Sequence, residues 1–183
     1  DGQTFDGIKG SIDYRPDTLV WDLRQGALHC LSAGRNREVP YRDVIIAPGA
    51  RDRIIPFPGW TLPGIYTLGG AQIALKYQGC AIGSRVVFMG TGPLLYLVAY
   101  QYAKAGGGVG AVLDTTPFGT QRRAVPGLLR GGSTFAKGLW YVAALRGRGI
   151  VVENGIRPVV AEGKDAVSAL VYRDAAGTQR RLA

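Results

Sequence analysis

Apolar and polar positions alternate weakly over the first third of the chain and then change character. Leu19-Val20-Trp21 and Ala27 to Leu31 read as short strands, with Arg24-Gln25-Gly26 as a hairpin-like break. Val39 to Ala47 reads as a further strand ending in the unbroken apolar run Val44-Ile45-Ile46-Ala47, the pattern of a strand covered on both faces. Pro48-Gly49-Ala50 ends it as a turn. Pro56, Pro58 and Pro63 then make a stiff passage between domains.

Beyond residue 62 the pattern predicts alternating helices and buried strands. Gly70 to Gln78 is a short helix. Arg85 to Met89 is an apolar strand. Pro93 to Ala105 is a helix with proline in its first turn, where a missing N–H is harmless, and with Leu94, Leu97, Val98 and Gln101 at helical spacing. Gly106-Gly107-Gly108 stops it, and Gly110 to Asp114 is a second buried strand. Ser133 to Arg146 is a helix capped by Ser133 or Thr134, with Phe135, Leu139 and Val142 on one face. Ile150 to Val152 is a third short strand. Val159-Val160, Val167 to Tyr172 and Arg180 to Leu182 then alternate as strands, with turns at Gly163 and Ala176-Gly177. The fold class this predicts is α/β, a Rossmann-like parallel sheet joined to an antiparallel β-meander and preceded by a region of short strands.

Composition sharpens this picture at three points. Glycine supplies 28 of the 183 residues, well above the usual ~7%, which calls for a local explanation: turns, or backbone that must approach something closely. The net charge is +9, which points to an anionic partner. Six basic residues, Arg122, Arg123, Arg130, Lys137, Arg146 and Arg148, fall between Thr115 and Val152, where no acidic residue stands. A charge run of this kind is usually a solvated face, and little aromatic interleaving accompanies it, so no nucleic-acid partner is expected. His29 with the widely spaced Cys30 and Cys80 makes neither a zinc cluster nor a redox pair, and a reduced, cytoplasmic setting is the default expectation. The uncharged run Val86 to Ala103 has membrane-span length, but Gly90-Thr91-Gly92-Pro93 interrupts it, so it reads as strand, turn and helix.

The chemistry concentrates in that turn. Residues 85–114 form one βαβ unit of the size of a dinucleotide-binding half. Gly90 is placed to turn the chain out of the strand, and Gly92 to let the backbone approach a pyrophosphate at the N-terminus of the helix. Asp114 closes the second strand, where a carboxylate accepts hydrogen bonds from an adenosine ribose. Its charge favours NAD(H) over NADP(H), although Arg122 and Arg123 could reach a 2′-phosphate. Leu95 stands where the fingerprint has its third glycine. A phosphate-free βαβ turn remains the alternative.

Several runs resemble a known family. Tyr41 to Ala50 is similar to the second FAD-domain motif of two-dinucleotide flavoproteins. It is followed by Ile55-Pro56-Phe57-Pro58-Gly59-Trp60-Thr61-Leu62-Pro63-Gly64 and by Gly69-Gly70-Ala71-Gln72. With Gly90-Thr91-Gly92-Pro93-Leu94 and Leu128-Leu129-Arg130-Gly131-Gly132, this order resembles the α subunits of heteromeric amine-oxidising flavoenzymes. These include opine oxidase, hydrogen cyanide synthase, dye-linked proline dehydrogenase and the sarcosine oxidase α chain, within the pyridine nucleotide-disulfide oxidoreductase-like flavoproteins.

The resemblance implies that residues 1–62 belong to a partial FAD-binding domain and residues 63–183 to an NAD(P)-binding domain whose last strand is an open question. The family's N-terminal FAD glycine motif and its C-terminal part lie outside this chain. Gly49 and Ala50 would border the flavin nucleotide, with Pro48 in place of the usual threonine. Gly90, Thr91, Gly92, Pro93, Leu94 and Asp114 would bind the second dinucleotide. No CxxC precedes Arg85, which disfavours a thioredoxin reductase.

The implied activity is flavin-dependent oxidation of the CH–NH bond of an amino acid, imino acid or opine. It would occur in a hetero-oligomer whose flavin-containing β subunit oxidises the amine, so no catalytic residue is assigned in this chain. Two alternatives stand beside it: a non-catalytic nucleotide-binding or assembly domain, and a self-sufficient NADH:acceptor reductase of the same fold.

Overall fold

The computed structural model describes residues 6–49, 51–130 and 132–183. The chain divides into two compact units, residues 1–49 and 50–183.

The first unit is a three-stranded antiparallel sheet in the order β1-β2-β3, formed by β1 (Thr18–Arg24), β2 (Ala27–Ser32) and β3 (Arg35–Pro40). Among its described residues Cys30 in the central strand is the buried one, and His29 lies beside the Trp21 ring with Glu38 3.5 Å from its Nδ1. β3 starts at Arg35, earlier than the expected Val39, and it ends at Pro40. Val44 to Ala47 is not a strand: Ile45 is 93% exposed. A strand exists through its ladder partner, and among the described residues this run has none.

The second unit is built around a parallel sheet. Its elements are α1 (Leu68–Lys76), β4 (Val86–Gly90), α2 (Pro93–Lys104), β5 (Val109–Asp114), α3 (Phe118–Arg130), α4 (Ser133–Arg146) and β6 (Val151–Asn154), followed by β7 (Arg157–Gly163), β8 (Val167–Arg173) and β9 (Gln179–Leu182). Strands β4, β5 and β6 pair in parallel in that order, and β7-β8-β9 form an antiparallel meander. Alternate side chains of the parallel strands go to opposite faces. Val86, Phe88 and Val112 pack against Ala71 of α1, Leu95, Val98, Ala99 and Tyr102 of α2, and Leu145 of α4. Val87, Met89, Ala111 and Leu113 pack instead against Leu170, Tyr172 and Leu182 of the meander. Both faces are therefore dry, and the strands read as unbroken apolar runs for that reason. The expected fold class is borne out.

Three helix assignments change in detail. The buried face of α2 is Leu95, Val98, Ala99 and Tyr102, while Leu94 is 61% exposed. The period is as expected, and the phase is one residue later. Gly132, not Ser133 or Thr134, is the N-cap of α4, and that helix packs through Leu145 while Leu139 is exposed. Helix α3 is an element that periodicity does not predict. The proline-rich passage is pinned to the meander: Ala161 donates its N–H to the Pro58 carbonyl and Val167 to that of Pro63, both at 2.8 Å. No described helix is long and apolar enough to cross a membrane.

Candidate functional site

The C-terminal ends of β4, β5 and β6 form a crest above which α2 begins. This is the edge at which open parallel sheets bind ligands. Gly90 pairs with Asp114 across β4 and β5, and Leu113–Asp114 pair with Glu153–Asn154 across β5 and β6.

The turn into α2 rests on one glycine rather than two. Gly92 has φ 96° and ψ 175° and caps α2, with Pro93 at its first turn. A Cβ built on Gly92 would meet nothing within 4 Å, so the turn opens onto free space in front of the helix N-terminus. Such a terminus concentrates backbone N–H groups that the helix itself cannot satisfy, and it favours an anion. Gly90, expected to make the tight turn, stays in the strand outside the left-handed region. A Cβ there would make only an ordinary 3.7 Å contact with Leu95 Cδ1. Its carbonyl accepts from the Thr115 N–H at 2.8 Å. Leu95 fills the place of the third glycine as a fully buried core residue. The Thr91 and Thr115 hydroxyls lie 2.5 Å apart over this end of the sheet. Leu94 faces solvent beside them.

Asp114 lies where the spacing places it, but its carboxylate is engaged internally. It is 3% exposed. Its Oδ1 accepts the Thr116 N–H at 2.7 Å, and its Oδ2 accepts the Tyr96 hydroxyl at 2.5 Å. Asn154 Oδ1 lies 3.1 Å from the Tyr96 hydroxyl as a second acceptor for its single proton. Asn154 Nδ2 donates to Gln121 Oε1 at 3.3 Å, and Gln121 Nε2 reaches the Thr116 carbonyl at 3.5 Å. Burial first, and the Asp114 carboxylate second, hold the Tyr96 hydroxyl well above its ordinary pKa, so it remains a donor. Five residues thus form a polar ring that joins α2, α3 and the ends of β5 and β6. Sequence reasoning singled out only Asp114 of the five. Tyr96, Gln121 and Asn154 carry no motif, and the fold alone brings them together.

Gly49, a candidate flavin contact, adopts φ +84° with open space at its Cβ. Ala50 lies outside the described residues. Arg122 and Arg123 are exposed on α3, and Arg148 lies over the Tyr100 ring at 5.3 Å.

No family model matches the chain. Curated relatives do. The hydrogen cyanide synthase subunit HcnB of Pseudomonas protegens is 39% identical over 132 residues, covering 72% of this chain and 28% of that protein. An opine oxidase subunit of Agrobacterium tumefaciens is 36% identical over 174 residues, covering 88% and 34%. The corresponding opine oxidase subunit of Rhizobium meliloti is 33% identical over 190 residues, covering 97% and 35%. The resemblance read from the motifs is therefore borne out. The chain spans about a third of the length of these relatives.

Among solved structures, a NAD-dependent persulfide reductase from A. fulgidus superposes with TM-score 0.59 at 19% identity, over 99% of this chain and 32% of that one. A thioredoxin reductase from T. acidophilum superposes with TM-score 0.62 at 15% identity, over 99% and 54%. At these identities the two structures establish the fold alone.

Proposed function

We propose that this chain is the nucleotide-binding part of a flavin-dependent oxidoreductase subunit that acts, with a flavin-containing partner subunit, on the CH–NH bond of an amino acid or opine. The observation that carries this reading is similarity over 97% of the chain, spanning both units, to a subunit of opine oxidase. The domain reading goes with it: residues 1–62 serve a partial FAD-binding domain, and residues 63–183 an NAD(P)-binding domain.

The residues fit these groups in part. The open Gly92 turn and the start of α2 suit a pyrophosphate, and Gly49 leaves room for a flavin nucleotide next to its turn. When bound, a flavin supplies hydride acceptance and onward electron transfer. This chain's own contribution is to bind and orient nucleotides at its glycine turns. Asp114, by its charge, selects NAD(H) over NADP(H).

The test has two arms. The full-length subunit, co-expressed with its partner, should reduce a dye with an opine or amino acid as donor. The 183-residue chain should bind NADH, and NADPH no more tightly. Absence of binding of either nucleotide at millimolar concentration would overturn the role of Gly92 and Asp114.

One observation favours the second reading, a non-catalytic assembly domain whose nucleotide site is silent. Both oxygens of Asp114 are already engaged.

A further inference from the structure

We infer that Tyr96 is a gate on Asp114: its hydroxyl occupies the seat on the carboxylate that a ribose hydroxyl of a dinucleotide would take, so the adenosine half docks only when Tyr96 withdraws. The inference rests on the nucleotide reading of the crest and goes beyond it, because it makes Tyr96 the residue that decides how much of a nucleotide the site can recognise.

A carboxylate only accepts, and it reads a ribose by taking hydrogen bonds from the sugar hydroxyls. Here Oδ1 is held from the protein side by the Thr116 N–H, which leaves Oδ2 for a ligand. Tyr96 covers Oδ2 at 2.5 Å, and the carboxylate is 3% exposed. The hydroxyl also has an alternative acceptor for its single proton. Asn154 Oδ1 lies 3.1 Å from it, and Asn154 Nδ2 donates to Gln121 Oε1, which fixes that oxygen in place. Three consequences follow from this closed ring.

First, a ribose hydroxyl can reach Asp114 only by exchange for the tyrosine hydroxyl. Both are single O–H donors to the same charged acceptor, so the exchange adds little net affinity. Second, the displaced hydroxyl can turn its single proton to Asn154 Oδ1, which gives Tyr96 a second acceptor once it leaves Asp114. Third, the phosphate turn at Gly92 contains no member of the ring. A nucleotide that presents only a phosphate and the nicotinamide end is therefore indifferent to Tyr96. The wild-type crest should accept a nicotinamide mononucleotide about as well as the full dinucleotide.

The experiment is a fluorescence titration of the 183-residue chain with NADH and with reduced nicotinamide mononucleotide, which lacks the adenosine half. Wild type is compared with Tyr96→Phe and Asn154→Ala, and a melting curve of each variant reports folding. The gate predicts similar wild-type affinities for the two ligands, within about threefold. Tyr96→Phe leaves Oδ2 without its donor, so the ribose hydroxyl restores a lost bond. NADH should tighten about tenfold, ~1.4 kcal/mol, with the mononucleotide unchanged. Asn154→Ala removes the acceptor to which the displaced hydroxyl turns, so it should weaken NADH by a smaller factor with the mononucleotide unchanged. It carries the test should Tyr96→Phe fail to fold.

If NADH and the mononucleotide shift together, or neither variant changes NADH affinity, the gate is overturned while the nucleotide reading stands. If none of the three proteins binds either nucleotide, the nucleotide reading is overturned, and the gate with it.

Discussion

The glycine pattern at the crest makes an unequal demand on two residues that a motif treats alike. Gly92 sits at φ 96° and ψ 175°, a region open essentially to glycine alone. A residue forced there costs roughly 1–3 kcal/mol. No neighbour lies within 4 Å of its would-be Cβ, so steric crowding adds nothing, and the whole penalty for Gly92→Ala is backbone strain. In a unit of this size 1 kcal/mol lowers the melting temperature by about 2–4 °C, so the variant should melt about 2–12 °C lower.

The added methyl also points into the space in front of α2, where a pyrophosphate must approach. NADH should therefore bind about tenfold or more weakly. Gly90→Ala is the control. Gly90 is not in the left-handed region, and its Cβ would meet Leu95 Cδ1 at an ordinary 3.7 Å, so its melting temperature should stay close to that of wild type. Differential scanning fluorimetry and an NADH titration on the two variants settle the point. If Gly92→Ala melts with wild type while Gly90→Ala falls, the turn has been assigned to the wrong glycine.

Other variants test the packing and the titration of this unit. Leu95→Gly restores the third glycine of the fingerprint but empties a fully buried site inside a helix. It should destabilise by about 3–5 kcal/mol in urea unfolding and give no gain in NADH affinity. Leu145→Ala removes the residue through which α4 reaches the core and should lose about 2–5 kcal/mol by the same measurement. Tyr172, on β8 of the meander, is buried, and its pKa is pushed up to about 12 by burial first and by Glu153 second. Unfolded, it ionises near 10, so the native state holds the proton more tightly. Its stability contribution is full below about pH 10 and is lost as pH rises toward 12, amounting to about 2–3 kcal/mol. Urea midpoints measured from about pH 9 upward should fall over that window, and Tyr172→Phe should flatten the fall.

The parts of the fold that could be read in advance are those where burial writes a pattern. Strands β4 and β5 are apolar throughout because the helices cover one face and the meander the other. Their identity survives in any local reading. The phase of α2 does not, because Leu94, Leu95, Tyr96, Leu97 and Val98 are all apolar or aromatic. Such a run gives the period without saying which side faces inward, and only contact with β4 and β5 selects Leu95. Helix α3 was hidden for the opposite reason. It contains Gly119, Pro126 and Gly127, residues that argue against a helix, and no described core residue belongs to it. Val44 to Ala47 shows the converse error: apolar, β-branched residues favour a strand, yet pairing has to come from elsewhere in space.

The same distinction governs the site. A fingerprint encodes a backbone path, and the path is present: strand, turn at Gly92, helix, strand, acid. It also located Asp114 to the residue, since the length of a βαβ unit is set by the geometry of its helix and crossover. What a fingerprint does not encode is the state of the acid at the end of that path. That state depends on Tyr96, 18 residues before Asp114 in the chain, and on Asn154, 58 residues beyond Tyr96. Neither separation is a motif, and each partner is an ordinary residue on its own element. A carboxylate that is almost fully buried must have its hydrogen bonds supplied by the protein or by a ligand. Here the protein supplies them, which is why the residue the spacing marks for a ribose is found holding a tyrosine. Whether a nucleotide can take it back is a competition between two hydroxyl donors for one oxygen. Its outcome turns on how well Asn154 Oδ1, fixed by Gln121, can take the tyrosine's proton, not on the glycine spacing.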